Sequence, residues 1–197
     1  MLHSVYGAPF AVLWLAWLLY WFLAARDVKT TRRREPFGSL ILNRGLLAIG
    51  GLLLAFHRQP LHWLAARFLP ASMTVYWIGL LMLAAGLAIA VWARRHLGRN
   101  WSGTVTVKQD HELIRSGPYG YVRHPIYTGL ITGLIGTAIC SGTLRAAIGV
   151  AIISAALYVK SRTEERFMRE TFPGQYQKYC EEVPALVPFS KSRRPAA

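Results

Sequence analysis

Five apolar runs separated by polar and mostly basic gaps organise this chain. A helix that crosses a bilayer needs about 20 mainly apolar residues, fewer where flanking side chains snorkel. The first run extends from Pro9 to Ala25 and carries Trp14, Trp17, Tyr20 and Trp21. Nothing basic precedes it and a basic cluster follows it, the reverse of a cleaved signal peptide. The second, Ser39 to Phe56, holds Asn43 and Arg44 in its first turns, where Arg44 is expected to snorkel to the interface. The third, Met73 to Ala93, is long and clean. The fourth runs from Pro125 to Cys140 and the fifth from Leu144 to Val159, and Ser141-Gly142-Thr143 between them predicts an antiparallel hairpin. The pattern predicts an all-α, polytopic membrane protein with about five transmembrane helices.

Composition agrees. Of 197 residues, 53% are hydrophobic and 16% charged, against roughly 25% charged in a soluble domain. A chain this short cannot bury that much apolar surface in one globular core. Disorder, collagen-like structure and a disulfide scaffold are excluded. The net charge of +14 would suggest nucleic acid if it clustered on one soluble face. It lies instead in the gaps between apolar runs, so no nucleic-acid partner is expected. Cys140 and Cys180 fall in segments expected on opposite sides of the bilayer, which leaves no disulfide and no thiolate metal site.

Orientation follows from the same gaps. Segments 26–37 and 94–123 and the tail from Lys160 carry 19 Lys and Arg, whereas segment 58–72 carries two, Arg58 and Arg67. The amino terminus is therefore expected outside and the carboxyl tail in the cytoplasm. All nine acidic residues fall on the expected cytoplasmic side, so a site using both charge signs must face that way. The compact chain suggests a bacterial inner membrane, with a eukaryotic endoplasmic reticulum as the alternative. His57 and His62, five apart in the outer loop, are poorly spaced for a helical metal pair. Residues 1–93 read as three plain spans with short loops, 94–189 as the region carrying chemistry, and 190–197 as a flexible basic end.

In that second region Thr104 to Val107 alternates as a short strand or an extended loop would, and Gly117-Pro118 is a turn. Arg123-His124-Pro125 closes the loop at the entry of the fourth span, with Pro125 suited to a first helical position. An isolated Arg-His-Pro would be read as interfacial residues beside a helix cap. Here a turn, three tyrosines (119, 121 and 127) and a basic pair converge on one membrane entry. Gly129, Gly133 and Gly136 permit close approach of another helix, and the fifth span is the expected partner, with room for a flat ligand as the alternative. The run Lys160 to Glu165 continues the fifth helix out of the membrane. As a charge run it would be a solvated face, but a hairpin brings it beside the Arg-His-Pro entry. Met168, Phe172, Tyr176 and Tyr179, interrupted by Pro173, read as a lid over the cytoplasmic mouth.

Three motifs in order resemble the isoprenylcysteine carboxyl methyltransferase family and, more distantly, the phospholipid N-methyltransferases. They are His111-x-Leu113-Ile114-x-x-Gly117-x-Tyr119, then Arg123-His124-Pro125-x-Tyr127, then Glu164-Glu165 followed by Phe172, Tyr176, Tyr179 and Pro184. The resemblance covers about residues 97–189. It implies a membrane-embedded methyltransferase using S-adenosyl-L-methionine in a carboxyl-terminal cytoplasmic cofactor-binding region. No Rossmann fingerprint is present in the chain. It further implies cofactor contacts at Thr104, His111, Glu112, Leu113, Ile114, Tyr119, His124, Pro125, Ile126, Tyr127 and Glu164. The family's acceptor-binding Arg falls on Lys160, with Arg162 two residues later. The acceptor implied is a lipid or prenylated small molecule, most simply a carboxylate. An amine acceptor would need a base, and Glu165 is the candidate. Two other classes share features with the chain. Membrane sterol and enone reductases using NADPH resemble it at Arg-His-Pro-x-Tyr, but have Asn and Glu where this chain has Ile126 and Gly129. A non-catalytic scaffold could hold anionic lipid through the basic loops.

Overall fold

The computed structural model describes residues 2–25, 31–34, 37–55, 62–98, 101, 106–108 and 113–189. Its helices are α1 (Leu2–Ala24), α2 (Phe37–Ala55), α3 (Met73–Leu97), α4 (Pro125–Ser141), α5 (Leu144–Thr171) and α6 (Gln175–Glu182). Strands β1 (Thr31–Arg34) and β2 (Thr106–Lys108) pair antiparallel, so the expected strand begins at Thr106, while Thr104 lies outside the described residues. So do His57, His111, Glu112 and the 190–197 end.

The helix limits have local causes. The Ser72 hydroxyl accepts from Val75 N at 3.3 Å and starts α3, and Thr143 does the same for Ala146 N at 3.4 Å in α5. Gly142, at φ +63°, ends α4 and lets the chain turn directly into α5. Pro125 occupies the first turn of α4.

By length and composition α1, α3 and α5 can each cross a membrane, and α4 and the Leu40–Ala55 part of α2 are shorter apolar helices. The contacts arrange the helix ends in two groups. At one end Arg94 of α3 donates to the Ala24 carbonyl that closes α1, and β1 meets β2. At the other, Arg145 of α5 donates to the Leu53 and Leu54 carbonyls closing α2, and Phe68 N donates to Gly142 O at 2.9 Å. Among the described residues, five helices, α1 to α5, thus run between the two ends. Both arginines are buried, and each neutralises the negative end of another helix.

The glycines of α4 correct the expected packing. Their partner is α3, not α5. A Cβ on Gly129 would sit 2.5 Å from Gly86 O, and one on Gly79 would sit 2.6 Å from Gly136 O. Backbone fills that space and leaves no room for a flat ligand. Helix α5 packs mainly on α2 through Gly50 and Gly149, where Asn43 Nδ2 also donates to Ala156 O at 2.8 Å.

Candidate functional site

The start of α4 and the charged extension of α5 meet at the end of the bundle that holds α6. His124 caps α4 and is 8% exposed. Its Nδ1 lies 3.4 Å from Glu164 Oε2 and its Nε2 lies 3.4 Å from Glu165 Oε1. One turn into α4, Tyr127 stacks on the imidazole at 5.6 Å and donates its hydroxyl to Glu164 Oε1 at 2.5 Å. Lys160 Nζ stands 5.8 Å over the Tyr127 ring.

The two adjacent carboxylates are not equivalent. Glu165 is fully buried. It accepts from Arg123 Nε at 3.0 Å and Nη2 at 2.6 Å, and Arg169 Nη2 lies 3.3 Å away. Glu164 keeps 24% of its side chain exposed. Burial alone would raise the Glu165 pKa, but bonds to His124 and Arg123 bring it down to about 2. Burial opposes ionisation of Glu164 too, and is outweighed by His124, Lys160 and Tyr127, so its pKa is lowered. For His124 burial favours the neutral ring, yet the bonds and charges of both carboxylates raise its pKa. The result is an imidazole held between two carboxylates that favour its protonated form, and only one of the two carboxylates reaches solvent.

Apolar groups complete the surroundings. Tyr119 and Ile126 are buried with Ala93, and Ile114, Tyr127, Trp21 of α1 and Trp101 pack against them. Gly117, at φ +58°, lies against the His96 ring, so a Cβ there would come within 2.8 Å of it. Pro125 is fully buried. Leu113 packs elsewhere, against Tyr176, Tyr179 and Val183. Arg162 is 59% exposed and reaches Glu165 Oε2 only at 3.7 Å.

The expected set therefore divides. His124, Tyr127, Glu164, Glu165 and Lys160 come together, and Ile114, Tyr119 and Ile126 line the neighbouring apolar cluster. Sequence reasoning passed over Trp21 and the pivotal place of Arg123. Pro184 stood in the third motif, but the carbonyls of Pro184 (2.9 Å), Ala185 (3.0 Å) and Leu186 (2.6 Å), which accept from Arg123 N, His124 N and Thr128 Oγ1, were not foreseen. Backbone carbonyls leave no mark in a sequence, whereas Arg123 was visible beside His124.

A family model described as the isoprenylcysteine carboxyl methyltransferase (ICMT) family matches residues 77–170, which include this whole cluster of polar side chains. Over that stretch, just under half of its length, the chain is similar to that family. Among its curated relatives, protein-S-isoprenylcysteine O-methyltransferase B of Arabidopsis thaliana is 28% identical over 62% of this chain and 65% of the relative. The cobalt-zinc-cadmium resistance protein CzcN of Cupriavidus metallidurans is 30% identical over 57% of this chain and 51% of that protein. The chain thus spans roughly half to two thirds of the curated relatives it matches first. A solved structure of the eukaryotic intramembrane Ras methyltransferase ICMT aligns at 25% identity and a TM-score of 0.49, over 77% of this chain and 51% of that one.

Proposed function

We propose that the protein transfers a methyl group from S-adenosylmethionine to a lipophilic acceptor reached from the bilayer, with a carboxylate as the methylated group. The observation that carries this reading is the Glu164–His124–Tyr127 cluster, where a partly exposed carboxylate stands beside a buried imidazole at the start of α4. The donor set suits a zwitterionic sulfonium cofactor. Glu164 would take its ammonium or a ribose hydroxyl, while His124 and the α4 amino end favour its carboxylate. Tyr119 and Tyr127 offer aromatic surface to adenine or the sulfonium. When bound, the cofactor supplies an electrophilic methyl for direct displacement, so the protein's part is to position and to exclude water.

A carboxylate acceptor is favoured over an amine by Glu165. A carboxyl held at about 2, without exposure, is a poor base at neutral pH. Its role in this reading is to hold Arg123 and His124. An acceptor already ionised at pH 7 needs no base. Lys160 and Arg162, at the junction of the apolar and charged parts of α5, would orient its head group. The five helices α1 to α5 then become five membrane crossings, with this site facing the cytoplasm.

The experiment has two arms. S-adenosylhomocysteine, and not NADPH, is expected to raise the melting temperature of the purified protein. Lipid extracts incubated with protein and methyl-labelled S-adenosylmethionine should yield a labelled, base-labile ester. Stabilisation by NADPH alone, or label confined to amine head groups, would overturn the reading.

A further inference from the structure

We propose that Arg123 is a positioning residue that couples seating of the carboxyl-terminal cover, α6 with residues 183–186, to assembly of the His124–Glu164 pair; the coupling rests on reading that pair as a ligand contact. The Arg123 side chain is 8% exposed and divides its donors between two elements. Nε and Nη2 hold Glu165 of α5, while Nη1 donates to Cys180 O at 3.2 Å and to Val183 O at the end of α6. Its backbone N–H bonds to Pro184 O and that of His124 to Ala185 O. The imidazole of His124 faces Glu165 Oε1, the same oxygen that Arg123 holds.

Lifting the cover would therefore strip Nη1 and two backbone N–H groups of acceptors in a buried place. It would also free Arg123 to turn, and with it the carboxylate that braces His124. Cover seated with pair assembled, and cover lifted with pair loosened, are the two favoured combinations. A fork of donors is needed for this, since one ammonium cannot serve a carboxylate and two carbonyls in different elements. Tyr179 reinforces the cover independently, donating its hydroxyl to Tyr119 O at 2.6 Å.

Coupling of this kind is reciprocal: a ligand on the pair must tighten the cover. Hydrogen exchange of the full chain in nanodiscs tests it in wild type, Arg123→Gln, Glu165→Gln and the double variant, with and without S-adenosylhomocysteine. Without ligand, each single change should speed exchange of amides 179–183, 185 and 186 by about tenfold, the loss of one or two buried hydrogen bonds. The double variant should exchange no faster than Arg123→Gln alone, because Glu165 reaches the cover through Arg123. With ligand, exchange should slow in wild type and not in Arg123→Gln. Arg123→Lys, which keeps the charge, should behave as Arg123→Gln does and replaces it if that variant fails to fold. Additive effects in the double variant, or ligand binding that leaves wild-type exchange unchanged, would overturn the proposal. Failure of wild type to bind S-adenosylhomocysteine would overturn the cofactor reading instead, and the ligand-free comparison would still decide the coupling.

Discussion

Two carboxylates meet one imidazole at His124, and the ionisation of all three is set by that meeting. The folded pKa of His124 lies above its ordinary value of about 6.5, so its contribution to stability is complete below that pH. It is lost as pH rises through the folded value. Glu165, lowered from 4.5 to about 2, contributes fully above pH 4.5 and loses its contribution as pH falls toward 2. Melting temperature followed against pH should decline on both sides, and His124→Gln should flatten the alkaline side and shrink the acid one, because His124 is one of the two groups that lower the Glu165 pKa. Glu164→Gln and His124→Ala should each weaken S-adenosylhomocysteine binding by about 1–3 kcal/mol, as loss of a buried charge-assisted contact does. Isothermal titration checks this, and unchanged affinity in folded variants would make the cluster a structural brace at the start of α4 and not a cofactor contact. Lys160→Ala and Arg162→Ala should raise the acceptor's KM more than the cofactor's, measured in mixed micelles.

Helix to helix, the seam between α3 and α4 depends on where a methyl group would land. Gly86→Ala and Gly129→Ala put a Cβ against backbone of the opposite helix, which cannot step aside. Each should cost at least about 1–3 kcal/mol by overpacking. Gly133→Ala meets the end of the Leu83 side chain at 3.2 Å and should cost less. Thermal unfolding of the three variants gives the order directly. The limits of α4 and α5 were legible in the sequence because Pro125, Gly142 and Thr143 act locally. The partner of the α4 glycines was misjudged because small-residue spacing announces close approach without naming the neighbour. A clue did exist: Gly79 and Gly86 repeat the seven-residue interval of Gly129 and Gly136, with Gly86 meeting Gly129 and Gly79 meeting Gly136. The charged half of the site was readable because His124, Tyr127 and Glu164 are conspicuous residue types flanking a predicted hairpin. Its cover was not, since carbonyls 184–186 would bond alike under any side chain.

Over the whole molecule, 19 Lys and Arg against two are the ground on which the site's end of the bundle is proposed to face the cytoplasm. A carboxyl-terminal tag should accordingly resist an impermeant reagent added to intact cells and react once they are opened. Labelling from outside would reverse the orientation. The buried arginines add a constraint of a different kind, one of time. Ala24, the last residue of α1, is capped by a side chain 70 residues downstream, and Leu53, near the end of α2, by one 92 residues downstream. During synthesis the first two helices leave the ribosome with their terminal carbonyls unmet, and wait for Arg94 and Arg145 to be made. By itself the amino-terminal half therefore lacks the donors that meet Ala24 and Leu53 in the full chain. A chain ended after Ala93 should still insert, yet decay in a pulse–chase several times faster than the full chain. Supplying residues 94–197 as a second polypeptide should restore its lifetime.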